Sequence, residues 1–182
     1  PGTAPQADRR VEHTVNESSS KKAPTNATDD VTESAIPKEI LPPKAEPKVI
    51  QVAILGIGNG GKTSIINSLQ GNFDSVVKPT LGFRPTTMML EDTAKIKFYD
   101  LGGGKKIRDI WDQYYHDVHA IIYVLDSSLK VDSEEWKDTK DIFNSVKSHL
   151  LLDGKPMLAI ANKHEMEGSM DTNTVCEQLV VE

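Results

Sequence analysis

Residues Gly56-Ile57-Gly58-Asn59-Gly60-Gly61-Lys62-Thr63 fit the pattern G-x-x-x-x-G-K-[ST], and those residue types at that spacing suit one chemistry, the holding of a polyphosphate. Glycines let the backbone curl until successive N–H groups converge on phosphate oxygens, and a helix starting at the same place adds its partial positive charge. Lys62 has the reach and charge for the β- and γ-phosphates, and the Thr63 hydroxyl can ligate Mg²⁺. Ser64 follows them into the helix and completes the candidate phosphate-binding set. A plain glycine-rich turn is the competing explanation. The setting speaks against it, because the loop directly follows a strand pattern and directly precedes a helical one.

Three later segments carry oxygen and amide groups suited to the same ligand: Lys78-Pro79-Thr80-Leu81-Gly82-Phe83, Tyr99-Asp100-Leu101-Gly102-Gly103-Gly104 and Asn162-Lys163-His164-Glu165. They resemble, in order, the switch-one P-T-x-G-F, the switch-two W-D-x-G-G-Q and the base-reading N-K-x-D of small GTPases of the ADP-ribosylation-factor family. Ala120–Ser128 is similar to the central strand of that family, and the likeness runs from residue 49 to about 180. It implies GTP or GDP with Mg²⁺ as cofactors. Thr80 would ligate the metal when a γ-phosphate is present, Asp100 would hold the metal shell, and the Gly103 N–H would face the γ-phosphate. Asn162, Lys163 and Glu165 would read guanine, the acid accepting from two N–H groups that adenine lacks.

The chain departs from the family at three positions. Gly104 stands where a glutamine orients the attacking water, so slow or absent hydrolysis is expected and no catalytic residue is assigned. Glu165 replaces aspartate and carries its carboxylate one methylene further out. Gly58 stands where aspartate is usual. Asp100–Gly104, Ile107–Trp111 and Tyr114-Tyr115, with Gly154-Lys155-Pro156 and Glu167-Gly168, look most like the ciliary Arf-like subfamily numbered thirteen. That likeness implies a cytoplasmic and ciliary protein acting as exchange factor for another Arf-like GTPase. Phe83, Tyr99 and Tyr114 align with aromatics that form an exposed effector-binding triad in the family.

The elements that must position these groups alternate. Val49–Leu55 is a short apolar run ending at glycine, as a buried parallel strand does. A helix from about Gly61 carries Ile65, Ile66 and Leu69. Thr86–Leu90 and Lys95–Tyr99 form two strands around the turn Glu91–Ala94. Ala120–Leu125 and Met157–Ala161 are further buried strands. Ser133–Leu152 is helical with Trp136, Ile142, Val146 and Leu150 on one face, and Asp171–Val181 starts another helix. The fold class is α/β, the small-GTPase form of the P-loop NTPase fold, with a mostly parallel sheet and helices on both faces.

Composition divides the chain at residue 48. Residues 1–48 hold seven of the ten prolines, no aromatic residue and only 12 apolar residues, too little to offset the entropy of ordering a backbone. They are predicted to be a disordered tail, followed by an Arf-like GTP-binding domain over 49–182. The net charge of −6 supplies no basic footprint for nucleic acid. A single cysteine, Cys176, excludes an internal disulfide. Membrane association is expected only through segments outside this chain. The family fold continues past Glu182 with a strand, a second base-contacting loop and a closing helix, so the domain is expected to be truncated.

Three functions compete at this level. One is a guanine-nucleotide switch whose GTP form binds effector proteins or another Arf-like GTPase. The second is a scaffold that binds partners without nucleotide cycling. The third, an ATP-using enzyme, is disfavoured by Thr80, Gly103 and the Asn162–Glu165 segment.

Overall fold

The computed structural model describes residues 46–73, 76–91 and 93–180, all within one unit, residues 43–182. The proposed tail up to residue 45 lies outside the described residues, as do Asp92 of the expected turn and the last two residues of the chain. Lys48, assigned to the tail on composition, already belongs to the first strand.

Five strands form one sheet: β1 (Lys48–Leu55), β2 (Phe83–Leu90), β3 (Ala94–Leu101), β4 (Ala120–Asp126) and β5 (Met157–Asn162), in the order β2-β3-β1-β4-β5. β1 pairs in parallel with β3 and β4, and β4 with β5, while β2 and β3 form an antiparallel hairpin. Helices α1 (Lys62–Leu69), α2 (Asp112–Tyr115), α3 (Glu134–Lys147) and α4 (Thr172–Val180) lie between or after the strands. The α/β, mostly parallel architecture is the one expected.

Strand alternation makes two cores from one sheet. Ala53, Leu55, Ile121, Tyr123 and Leu125 pack with Trp136, Phe143 and Val146 of α3 and with Trp111 and Tyr115. Val52, Ile54, Phe98 and Val124 face the other way, onto Ile66 of α1. The Trp136 side chain is fully buried, so truncating it to alanine would cost about 3–5 kcal/mol. The site therefore hangs from the best-packed strands, because β1, β3 and β4 all end at it.

Further details differ from the sequence reading. The buried face of α3 is Trp136, Thr139, Phe143 and Val146, and Leu150 is 89% exposed. The helix stops at Lys147, where Ser148 leaves helical geometry at φ −92° and ψ 3° while its hydroxyl caps the Asn144 carbonyl, and the chain then turns and carries Leu150 outward. At the other end Ser133 caps the Trp136 N–H, with Glu134 and Glu135 in the first turn, where negative charge is favourable. β5 is a sheet edge among the described residues and not a buried strand. It pairs with β4 alone, and Leu158 is 57% exposed.

Candidate functional site

The loop from Gly56 to Gly61 joins the buried end of β1 to α1, and its side chains and backbone form one wall of a cavity of about 410 Å³. Gly58, Asn59, Gly61, Lys62, Thr63 and Ser64 line that wall, while Lys78–Leu81 and Gly102–Gly104 line the opposite one. Gly61 has φ 93°, and a Cβ there would collide with the Asn162 amide nitrogen. Only glycine meets both conditions. Gly60 does not line the cavity; its carbonyl accepts from Asn162 Nδ2 at 2.9 Å.

Lys62 is buried, and its ammonium donates to the Gly56 and Ile57 carbonyls at 2.8 and 2.7 Å. Burial pushes its pKa down to about 8 against the opposing pull of Asp100. A buried ammonium held at the rim of a phosphate-sized cavity is suited to receive an anion, which would restore the ordinary pKa.

The three oxygen groups expected to share a metal come together from three elements. Thr63 Oγ1 of α1 donates to Asp100 Oδ2 at 2.7 Å and lies 3.0 Å from Thr80 Oγ1. Thr80 also reaches Asp100 Oδ2, at 3.4 Å. Asp100 is fully buried at the end of β3, and its Oδ1 has no hydrogen-bond partner among the described residues. A buried carboxylate with one oxygen unsatisfied and two hydroxyls beside the other is a poor arrangement by itself. It fits a hard, oxygen-seeking cation such as Mg²⁺.

Gly103 packs so tightly on the loop that a Cβ would collide with the Gly56 carbonyl oxygen. The bond found there runs from the Gly58 N–H to the Gly103 carbonyl at 3.1 Å. That bond engages the Gly103 carbonyl and not its N–H. The Gly102 N–H donates to the Gly82 carbonyl at 2.8 Å, which ties the two switch segments together. Gly104 has open space around it: a Cβ there would meet only Ile107 Cδ1, at 3.7 Å.

The base-reading segment is brought to the loop only in part. Asn162 reaches Gly60 as described. Lys163, at φ 62°, pairs with Asp126 Oδ2, and the Ser127 hydroxyl and N–H both take the Asn162 carbonyl. Glu165 is 69% exposed beside His164 and is not among the residues lining the phosphate cavity.

The aromatic triad does assemble, with Tyr114 ring-to-ring at 5.0 Å from Phe83 and 5.5 Å from Tyr99. Its exposure is uneven. Phe83 is 46% exposed, whereas Tyr99 is only 8% exposed, with its hydroxyl donating to Gln51 Oε1 at 2.8 Å. Tyr99 belongs to the core cluster that includes Trp111 and Tyr115, and so forms the base of the patch.

Sequence reasoning missed the brace behind switch two. Arg108 makes a bidentate pair with Asp138 of α3 at 3.0 and 2.8 Å and donates Nε–H to the Gly103 carbonyl, and the hydrogen bond from Arg108 holds the Asp138 pKa below the usual carboxylate range. Trp111 Nε1 donates to the Gly102 carbonyl at 3.0 Å. Asp126, at the end of β4, meets Lys163 only through the fold, so the sequence carries no local signal for that pair.

Comparison with known proteins agrees with this geometry. The model of the ADP-ribosylation factor family matches residues 39–182. ADP-ribosylation factor-like protein 13B of Chlamydomonas reinhardtii is 39% identical over 123 residues, 68% of this chain and 23% of that protein. ADP-ribosylation factor-like protein 2 of Dictyostelium discoideum is 32% identical over 76% of this chain and 73% of that protein. The chain thus spans less than a quarter of the algal relative's length. The Arl6 small GTPase of Trypanosoma brucei, solved with the nucleotide analogue GppNp, superposes with a TM-score of 0.62 at 30% identity over 72% of this chain and 77% of that one. With the phosphate loop, both switches and the Asn162 segment in one sheet-end arrangement, the chain belongs to the ADP-ribosylation factor family of small GTPases.

Proposed function

We propose that this chain is a guanine-nucleotide-binding switch of the Arf-like kind with weak or absent intrinsic hydrolysis. The observation that carries the reading is the convergence of Thr63, Thr80 and Asp100 beside the buried ammonium of Lys62. Lys62 binds the β- and γ-phosphates, and the loop N–H groups orient them. Thr63, Thr80 and Asp100 hold Mg²⁺, which when bound offsets phosphate charge. Asn162, Lys163 and Glu165 face the guanine base. Thr80 sits in a segment free to move with the γ-phosphate, and the Gly102–Gly82 bond transmits that movement to switch two. The GTP form then presents Phe83 and Tyr114, over Tyr99, to effector proteins or to another Arf-like GTPase that it serves as exchange factor. The subfamily resemblance points to a cytoplasmic and ciliary setting. No helix among the described residues is long and apolar enough to cross a membrane.

A scaffold that binds partners without cycling nucleotide is the second reading, favoured by Gly104 and by the exposure of Glu165. Extraction of nucleotide from the purified chain, followed by titration with fluorescent GTP and ATP in Mg²⁺, separates the two. Guanine-selective, Mg²⁺-dependent binding supports the switch. No bound nucleotide and no binding at millimolar GTP would overturn the switch.

A further inference from the structure

Asp100 has a cationic neighbour that the phosphate loop does not supply. Arg84 follows Phe83 in β2 and stands directly opposite Asp100 in the β2–β3 register, so both side chains leave the sheet on the same face. Its Nη2 donates to Asn67 Oδ1 of α1 at 3.0 Å and lies 3.6 Å from Asp100 Oδ2. That oxygen is the one that takes the Thr63 hydroxyl. Lys62 also feels Asp100 electrostatically, but its ammonium donates to the Gly56 and Ile57 carbonyls, and among the described residues Arg84 is the cation within 4 Å of the carboxylate.

We propose that Arg84 tunes the metal site: its guanidinium partly neutralises Asp100 from the β2 side and so weakens the site's hold on Mg²⁺. The inference rests on the assignment of Thr63, Thr80 and Asp100 as the metal-holding groups. A divalent cation drawn to a carboxylate is opposed by a fixed positive charge a few ångströms away. Arg cannot shed that charge by deprotonating, and the Asn67 bond keeps it pointed at Asp100. The side chain is 44% exposed against 0% for Asp100, so solvent screens part of the repulsion and the effect is modest, roughly three- to tenfold in metal affinity. Arg84 also adjoins switch one through Phe83. A displacement of that segment would move the charge and alter metal affinity with it.

The test measures dissociation of a fluorescent, non-hydrolysable GTP analogue, which keeps the γ-phosphate that Thr80 requires, from the full chain as a function of free Mg²⁺, at low and high salt, for wild type, Arg84→Gln and Arg84→Lys. Arg84→Gln is expected to lower the half-saturating Mg²⁺ concentration roughly three- to tenfold, with the gap shrinking at high salt. Arg84→Lys, which keeps the charge, should stay near wild type. An unchanged or raised Mg²⁺ requirement in Arg84→Gln overturns the proposal, as does a salt-independent shift or a lysine variant that behaves like the glutamine one. If Arg84→Gln does not fold, Asn67→Ala carries the test by freeing the guanidinium without removing it. A smaller shift in the same direction is then expected, and no shift overturns the proposal. Wild-type binding that ignores Mg²⁺ would overturn the metal assignment as well, whereas Mg²⁺-dependent wild type with unshifted variants overturns the role of Arg84 alone.

Discussion

Asn162 and Gly60, 102 residues apart in the chain, are joined by a hydrogen bond of 2.9 Å from the amide nitrogen to the carbonyl oxygen. The base-reading segment therefore also supports the phosphate loop. Asn162→Ala would leave the Gly60 carbonyl unpaired and loosen the loop, so GTP affinity should fall at least about tenfold, or about 1.4 kcal/mol. Gly61→Ala should do more harm, because its Cβ collides with the Asn162 amide and its φ is 93°. In a double-mutant cycle, removing the Asn162 amide should recover part of the Gly61→Ala defect. Additive effects in thermal melting and nucleotide titration would count against the contact.

Lys62→Ala removes the ammonium proposed to reach the phosphates, and GTP affinity should drop at least about tenfold. The wild type should also lose affinity as pH rises from about 7 to about 9. In the free chain Lys62 titrates at about 8, and bound phosphate raises that value by favouring the charged form. Binding therefore takes up a proton, with affinity full below the free-state pKa and falling above it. Calorimetric titrations in buffers of different ionisation enthalpy would read the proton uptake directly, and none at pH 8 to 9 would refute the linkage.

Single-turnover GTP hydrolysis by the purified chain should be no faster than roughly 3–5 × 10⁻⁴ s⁻¹, the intrinsic rate of a related GTPase that keeps its glutamine. Gly104→Gln should speed it up, since the space at this position admits a side chain with only Ile107 Cδ1 in contact range, at 3.7 Å. A folded Gly104→Gln variant with an unchanged rate would mean that water orientation is not the missing element.

Phe83→Ala and Tyr114→Ala should each weaken GTP-dependent partner binding by about 1 kcal/mol or more, with nucleotide affinity nearly unchanged. Tyr99→Ala should instead lower thermal stability, because that ring is buried and its hydroxyl is satisfied by Gln51. Loss of GTP binding in both the Phe83 and Tyr114 variants would move these residues into the core and the partner surface elsewhere.

The G-x-x-x-x-G-K-[ST] run could be assigned from sequence because its function depends on contiguous backbone, and strand, loop and helix each have a local signature. The same holds for β1, α1, β4 and the capped start of α3, whose apolar spacing and Ser133 are short-range features. The likeness in Thr80, Asp100 and Asn162 was legible because each stands in a short motif that the family shares. Other features were decided by register and packing across tens of residues. Arg84 meets Asp100 only because β2 and β3 pair with those two residues opposite each other. Arg108 meets Asp138 only because the segment before α2 packs on α3. Tyr99 is covered because Trp111 and Tyr115 pack into the same core on its face of the sheet, while Leu158, on the edge strand among the described residues, is 57% exposed. Local spacing in the sequence determined which segments form strands, phosphate loop and helices. Long-range pairing in the tertiary structure decided which charges meet and which rings are hidden, because a side chain's neighbours depend on elements distant in the chain.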